Sequence, residues 1–264
     1  MTTAVAVAAD RRRRPMGTWR LEWLRILRSR RGLVLITVYL FFGLAGPLMA
    51  RYMAQLTKYA SAEMTIIAPA PKPAHGIVNF ASQAGQTGLI VTVVVAAGAL
   101  CFDARYGLAV FYRTRAPGAF ALIWPRFVAS AALAVVAYTL GTAAAWFETA
   151  MLLGRLPADR VVEGAALAAT FLVFAVAVVA AASTIGRSTL STVGIAVAVL
   201  FVVLPLAGAA SVIGPWLPTK LSNAPAALVT GTTAGGYLRP LAVSVAGTVA
   251  LLAFAVHRSR RRDL

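Results

Sequence analysis

With 60% of its 264 residues hydrophobic and only 12% charged, the chain departs from soluble globular domains, in which those shares are about 45–50% and about 25%. Its formal net charge of +17 comes from 25 Lys and Arg against 8 Asp and Glu. The arginines gather at the ends of apolar stretches and are not interleaved with aromatics on a polar face, which excludes a nucleic-acid-binding surface.

Six stretches, Leu33–Ala50, Gly76–Phe102, Phe127–Gly154, Gly164–Gly186, Ser188–Thr219 and Pro240–Val256, carry one charged side chain between them, Glu148. A hydrocarbon core of about 30 Å needs roughly 20 apolar residues per helix. Without water, each backbone group must be satisfied within its own segment, so each stretch reads as a helix. The predicted fold is an all-α membrane protein with six transmembrane helices, at about 33–50, 80–102, 122–153, 164–186, 189–212 and 238–257. Residues 1–32 form a cytoplasmic tail and interfacial helix, 33–257 the six-span domain, and 258–264 a basic cytoplasmic tail.

Charge orients the bundle. With the N-terminus inside, the inner segments hold 18 of the 25 basic residues and the outer segments seven, which obeys the positive-inside rule. Both termini are then cytoplasmic. Arginine and alanine are abundant and lysines number only three, a codon bias that points to a GC-rich bacterium and so to a bacterial inner membrane.

From the N-terminus, residues 1–10 are small, uncharged until Asp10, and expected to be disordered. Arg11–Arg14 is a basic run that attracts anionic lipid. Pro15 and Gly17 break the chain before Thr18, an N-cap. Trp19, Trp23, Ile26 and Leu27 then share one helical stripe with Glu22, Arg25 and Arg28 off it, the pattern of an amphipathic helix lying in the inner interface. The twin-arginine look of Ser29–Val34 lacks a following cleavage site and is not read as a signal peptide. In the first outer segment, Pro69, Pro71 and Pro73 alternate and favour an extended strut. His75 beside it has no second histidine or carboxylate near it and reads as a surface residue.

Glu148 lies near the outer end of the third span. An ionised carboxylate there either faces an interface or pairs, with Arg155 as the nearest partner, or it lines a translocation path. Between the last two spans, Ser211–Pro240 is mildly apolar but broken by Pro215, Pro218, Pro225 and four glycines. Such a segment reads as an outer re-entrant hairpin, with Ala224–Val229 as one short helix, or as an ordinary outer loop.

The longest inner connection runs from Asp103 to Arg126. It has a polar start, a short helical run with Leu108, Phe111 and Tyr112, the arginines Arg113 and Arg115, and a stop at Pro117-Gly118. Aromatics and arginines together on a cytoplasmic helix make a docking surface; the alternative is a solvated turn whose arginines only set topology.

Together these features resemble the permease subunits of the type-2 family of ATP-binding-cassette exporters, over nearly the whole chain. In that family the loop after the second span carries an acidic residue, then a glycine, then a Ser/Thr–x–Pro element, and a basic residue opens the third span. Asp103, Gly107, the Thr114–Pro117 neighbourhood and Arg126 occupy those places. Aspartate stands where glutamate is usual, and Phe120 where the family has arginine. The resemblance implies a half-transporter that pairs with a second copy or a paralogue. Its inner loop would act as a coupling helix in a groove of a separate ATPase. Asp103, Gly107, Leu108, Phe111, Tyr112, Arg113, Arg115 and Pro117 would form that contact, with the two arginines as polar contacts and Phe111 and Tyr112 as anchors. Closure of the ATPases would push on Leu108–Pro117 and tilt the first, second and fifth spans.

The sequence has no G-x-x-x-x-G-K-[ST] loop, so ATP and Mg are expected on the partner and no cofactor on this chain. The eight carboxylates and two histidines are scattered, and no catalytic or metal-binding motif occurs, so an enzyme is not expected. Two rivals stay open: an ion-coupled secondary transporter or channel, and a membrane anchor or assembly factor. Apolar spans with few charges favour amphiphilic or hydrophobic cargo.

Overall fold

The computed structural model describes Trp19 and residues 29–60, 72–101, 119–186, 188–210 and 212–262. All regular structure among the described residues is helical. Among the described residues six helices are long and apolar enough to cross a membrane, which is compatible with a multi-pass membrane protein. They are α1 (Arg30–Ala60), α2 (Pro73–Leu100), α3 (Ala119–Leu152), α4 (Ala158–Ile185), α5 (Thr189–Gly208) and α8 (Leu238–Arg262). Between α5 and α8 the chain forms a 3₁₀ turn at Gly214–Trp216, α6 (Thr219–Ser222), α7 (Ala224–Val229) and a second 3₁₀ turn at Ala234–Tyr237.

Helix ends follow local chemistry. Pro73, grouped in the sequence with two other prolines as part of an extended strut, is instead the first residue of α2. At that position a proline has no N–H to lose and its fixed φ suits the helix, so α2 begins several residues ahead of the sequence boundary near 80. The Lys72 N–H donates to His75 Nδ1 at 3.4 Å, which makes the lone histidine part of the helix start. Ser188 caps α5 by accepting from the Ser191 N–H at 3.1 Å.

α4 is the axis of the bundle. Its residues from Phe171 to Ala182 are buried almost all the way round, with Val176, Ala177 and Val179 fully enclosed. A helix apolar on every face belongs inside. α2, α3, α5, α6, α7 and α8 all pack on it. At its start, Gly164 admits Pro225 of α7; a β-carbon on Gly164 would lie 2.6 Å from the Pro225 Cα. This seats the irregular segment directly against the bundle, with Leu221 and Leu228 buried beneath it. Two-thirds of the apolar window of α4 is buried (67%), but only 17% of those of α5 and α8.

The most intimate pair is α1 with α3. They cross glycine on glycine. A β-carbon on Gly43 would run into the Gly141 carbonyl oxygen, and one on Gly141 would lie 2.6 Å from the Tyr39 carbonyl oxygen. In hydrocarbon, helices gain little from apolar contact alone, so small residues that let backbones approach are what hold such a crossing. The crossing sets Tyr39 in the core, fully buried, with its ring edge-on to Tyr138 at 5.7 Å. Its hydroxyl reaches Thr92 Oγ1 of α2 at 3.0 Å. Thr92 spends its own proton on the Gly88 carbonyl at 2.8 Å, so Tyr39 is the donor.

Gly43→Leu, which overfills the crossing, is expected to destabilise the bundle by roughly 1–3 kcal/mol. Gly194→Ala, where a β-carbon meets nothing within 4 Å, is expected to be neutral or stabilising within about 1 kcal/mol. Thermal unfolding midpoints of the two variants in the same detergent test the contrast.

Candidate functional site

The bundle has two chemically distinct ends. At one lie Arg31, the C-terminus of α2, the start of α5 and the basic end of α8. At the other lie Arg51, Arg160, the end of α3 and the α6–α7 segment. Three arginines act in the same way across these ends. Arg31 Nη1 donates to the Gly98 carbonyl at 2.6 Å, Arg51 Nη1 to the Leu152 carbonyl, and Arg160 Nη1 to the Leu228 carbonyl at 3.4 Å. Each acceptor lies in the last turn of another helix, where carbonyls lack intrahelical partners and carry the negative end of the dipole. Side chains that the sequence reads as topology markers thus also fasten helix to helix.

A cavity of about 830 Å³ opens toward the α6–α7 end, within the range of roughly 300–1,000 Å³ typical of small-molecule sites. One wall is a single face of α2, formed by Val78, Ser82, Gly85, Gln86 and Leu89 at helical spacing. The facing wall is Leu200, Phe201, Pro205 and Gly208 of α5, and Phe171 of α4 closes the back. Thr219, Lys220, Asn223 and Thr230 form the rim.

Both main walls carry a π turn where they meet the cavity. At Ala84–Gly88 of α2 the Leu89 N–H reaches back to the Ala84 carbonyl, and at Val199–Val203 of α5 the Leu204 N–H reaches back to the Val199 carbonyl. An i→i−5 turn holds one residue more than an α turn, bulges the helix locally, and recurs at functional sites. A β-carbon on Gly85 would meet nothing within 4 Å, so this bulge faces open space. The α2 wall runs from Val78 to Leu89, about 16 Å along the helix. Among the described residues that line the cavity, Lys220 is the one basic side chain and none is a carboxylate.

A second groove, about 550 Å³, lies at the opposite end between α3 and α8. Phe120 and Trp124, stacked with centroids 5.6 Å apart, form one side, and Val256, His257 and Arg260 the other. The 102–118 connection leaves from Cys101 and rejoins at Ala119 on this side of the molecule.

Trp19 is helical and 43% exposed. Its stripe partners Trp23, Ile26 and Leu27 lie outside the described residues, as do Asp103, Gly107, Leu108, Phe111, Tyr112, Arg113, Arg115 and Pro117 of the inner loop. Arg126 is buried inside α3 at 2% exposure, which is unusual for a guanidinium in an apolar helix. Glu148 is half-buried near the end of α3. Its Oε2 has no hydrogen-bond partner among the described residues, Arg155 is exposed and does not pair with it, and Glu148 does not line the cavity. Among the described residues no three His, Cys, Asp or Glu side chains gather as a metal site.

The cavity residues Ser82, Gln86, Lys220 and Asn223 are absent from the sequence expectations. Ser82 and Gln86 at i and i+4 with Gly85 between them, inside an otherwise apolar run, were the available signal. The rim needed the fold, because nothing local brings residue 220 to residue 86. Compared with protein-family models, curated proteins and solved structures, the chain finds no significant match.

If the cavity holds water, Gln86→Cys, midway along an apolar helix, should react with a water-soluble maleimide about as readily as Asn223→Cys on the rim. Val94→Cys, exposed on the outer apolar surface, should not react, and native Cys101, 8% exposed, should contribute little background. Mass shifts of the intact protein after labelling read the result.

Proposed function

We propose that this chain is the membrane-spanning permease subunit of an ATP-binding-cassette exporter, driven by ATP hydrolysed on a separate subunit. The observation that carries the reading is the irregular 212–237 segment. It folds back onto the bundle axis ahead of the last span and roofs a ligand-sized cavity between α2 and α5. A six-helix bundle with that segment before its last helix matches the family pattern found in the sequence. The sequence carries no phosphate-binding loop, so this reading looks to a partner for the power source.

The charge bias supports a cytoplasmic position for the arginine-rich end and an outer one for the α6–α7 end, in this reading in a bacterial inner membrane. Both termini and the 102–118 connection then face a cytoplasmic ATPase. Phe111 and Tyr112 anchor that connection in the ATPase, and Arg113 and Arg115 make its polar contacts. Two copies, or one copy and a paralogue, complete the transporter. The exposed outer faces of α1 and α5, with Phe41, Leu44, Val202 and Leu206, are available for that pairing and for lipid.

Purified from its native membrane in mild detergent, the chain should bring an ATPase with it and raise that ATPase's turnover. Exchanging both Arg113 and Arg115 for glutamate should lower stimulated hydrolysis roughly a hundredfold or more, the loss expected from removing two charge-assisted contacts of about 1.5–3 kcal/mol each. Membrane yield and thermal midpoint should be unchanged. Undiminished stimulation removes the coupling role, and a purified chain with no ATPase removes the exporter reading.

A further inference from the structure

We propose that the cavity between α2, α4, α5 and the 219–230 rim binds a single-chain amphiphile with an anionic head. The head would sit at Lys220 and Asn223, and the tail would lie along Phe201, Leu200 and Phe171. This deepens the exporter reading, on which it rests, by naming the class of cargo. The argument is one of matched polarity. The rim offers an ammonium group and an amide, both hydrogen-bond donors, while the back of the cavity is aromatic and aliphatic. The Lys220 charge is not met by any carboxylate among the lining residues, and Lys220 itself is exposed.

Two other cations at this end already have partners. Arg160 donates to the Leu228 carbonyl, and Arg239 stacks on Trp216 at 5.0 Å. Among the described residues that line the cavity, Lys220 is the cation a negative head would meet. The volume of about 830 Å³ suits a drug-sized molecule with one tail. The two π turns widen the space on either side of that tail. Access from the bilayer is built in, because one wall belongs to α5, a helix with little burial in the bundle.

The test uses the full chain in nanodiscs of neutral phosphatidylcholine, without ATPase. The probe is hexadecyl phosphate carrying a diazirine in its tail. After illumination and digestion, crosslinks are expected on α2 and α5 at Leu89, Leu200 and Phe201. Lys220→Gln should weaken labelling there roughly tenfold, the loss of one charge-assisted hydrogen bond, and Lys220→Arg should retain it. Ala226→Phe, which fills the space from the rim, should abolish it. A diazirine hexadecanol should label the wild type no better than hexadecyl phosphate labels Lys220→Gln.

Two results overturn the proposal. One is labelling spread over Phe41, Val202 and Leu206 that is equal in all variants, which is ordinary lipid contact. The other is displacement of the probe from these residues by a two-chain phosphatidylglycerol, which makes the cavity a resident lipid site. Because no ATPase is present, a failure here leaves the subunit reading standing. A failure of ATPase stimulation likewise leaves a positive crosslink standing.

Discussion

The α1–α3 crossing at Gly43 and Gly141 is the contact from which the rest of the arrangement follows. The two backbones approach so closely that Tyr39 has no freedom, and its hydroxyl is delivered to Thr92 on α2. Thr92 in turn holds the Gly88 carbonyl, the last residue of the π turn in α2. That turn exposes Gly85 and Gln86 to the cavity. A steric fact between two glycines is thereby transmitted through one phenol and one hydroxyl to the wall of the cavity. In water such a chain would compete with solvent at each link. In hydrocarbon the alternative to each hydrogen bond is an unsatisfied group, which keeps the links closed.

The six helices and their approximate places were legible because hydrocarbon imposes a requirement that few sequences meet by accident. About twenty apolar residues in a row have few other uses. The broken segment ahead of α8 was legible for the opposite reason, since its prolines and glycines could not continue a span, and the short helix Ala224–Val229 is where the sequence placed it. The start of α2 was missed because proline was weighed as a helix breaker without regard to position. Pro73 is a helix opener when nothing precedes it in the helix. The cavity was missed because its chemistry is split between residues 82–89 and 219–230, which only tertiary packing unites. Ser82 and Gln86 sit in a long apolar run, and it is the packing of α5 across from them that makes their face a cavity wall.

The arginines show how one residue type can satisfy two demands. Their distribution follows the pattern expected of orientation signals, yet Arg31, Arg51 and Arg160 each also bond a terminal carbonyl of a neighbouring helix. A guanidinium is suited to this because its fork stays charged and its several donors can serve a carbonyl and the headgroup region together. The preference for arginine over lysine in this chain, read as codon bias in the sequence, therefore has a structural use at these three positions.

The uneven enclosure of the helices has a mechanical corollary. α4 is gripped on every side, while α5 and α8 bury less than a fifth of their apolar windows in the chain itself. Sliding such a helix exchanges one oily neighbour for another at little cost in solvation. Stiffness is thus concentrated at the centre and compliance at the rim, so a push delivered at one end would be absorbed by the peripheral helices before the hub gave way. A bundle built this way can shift its outer helices without giving up its hub.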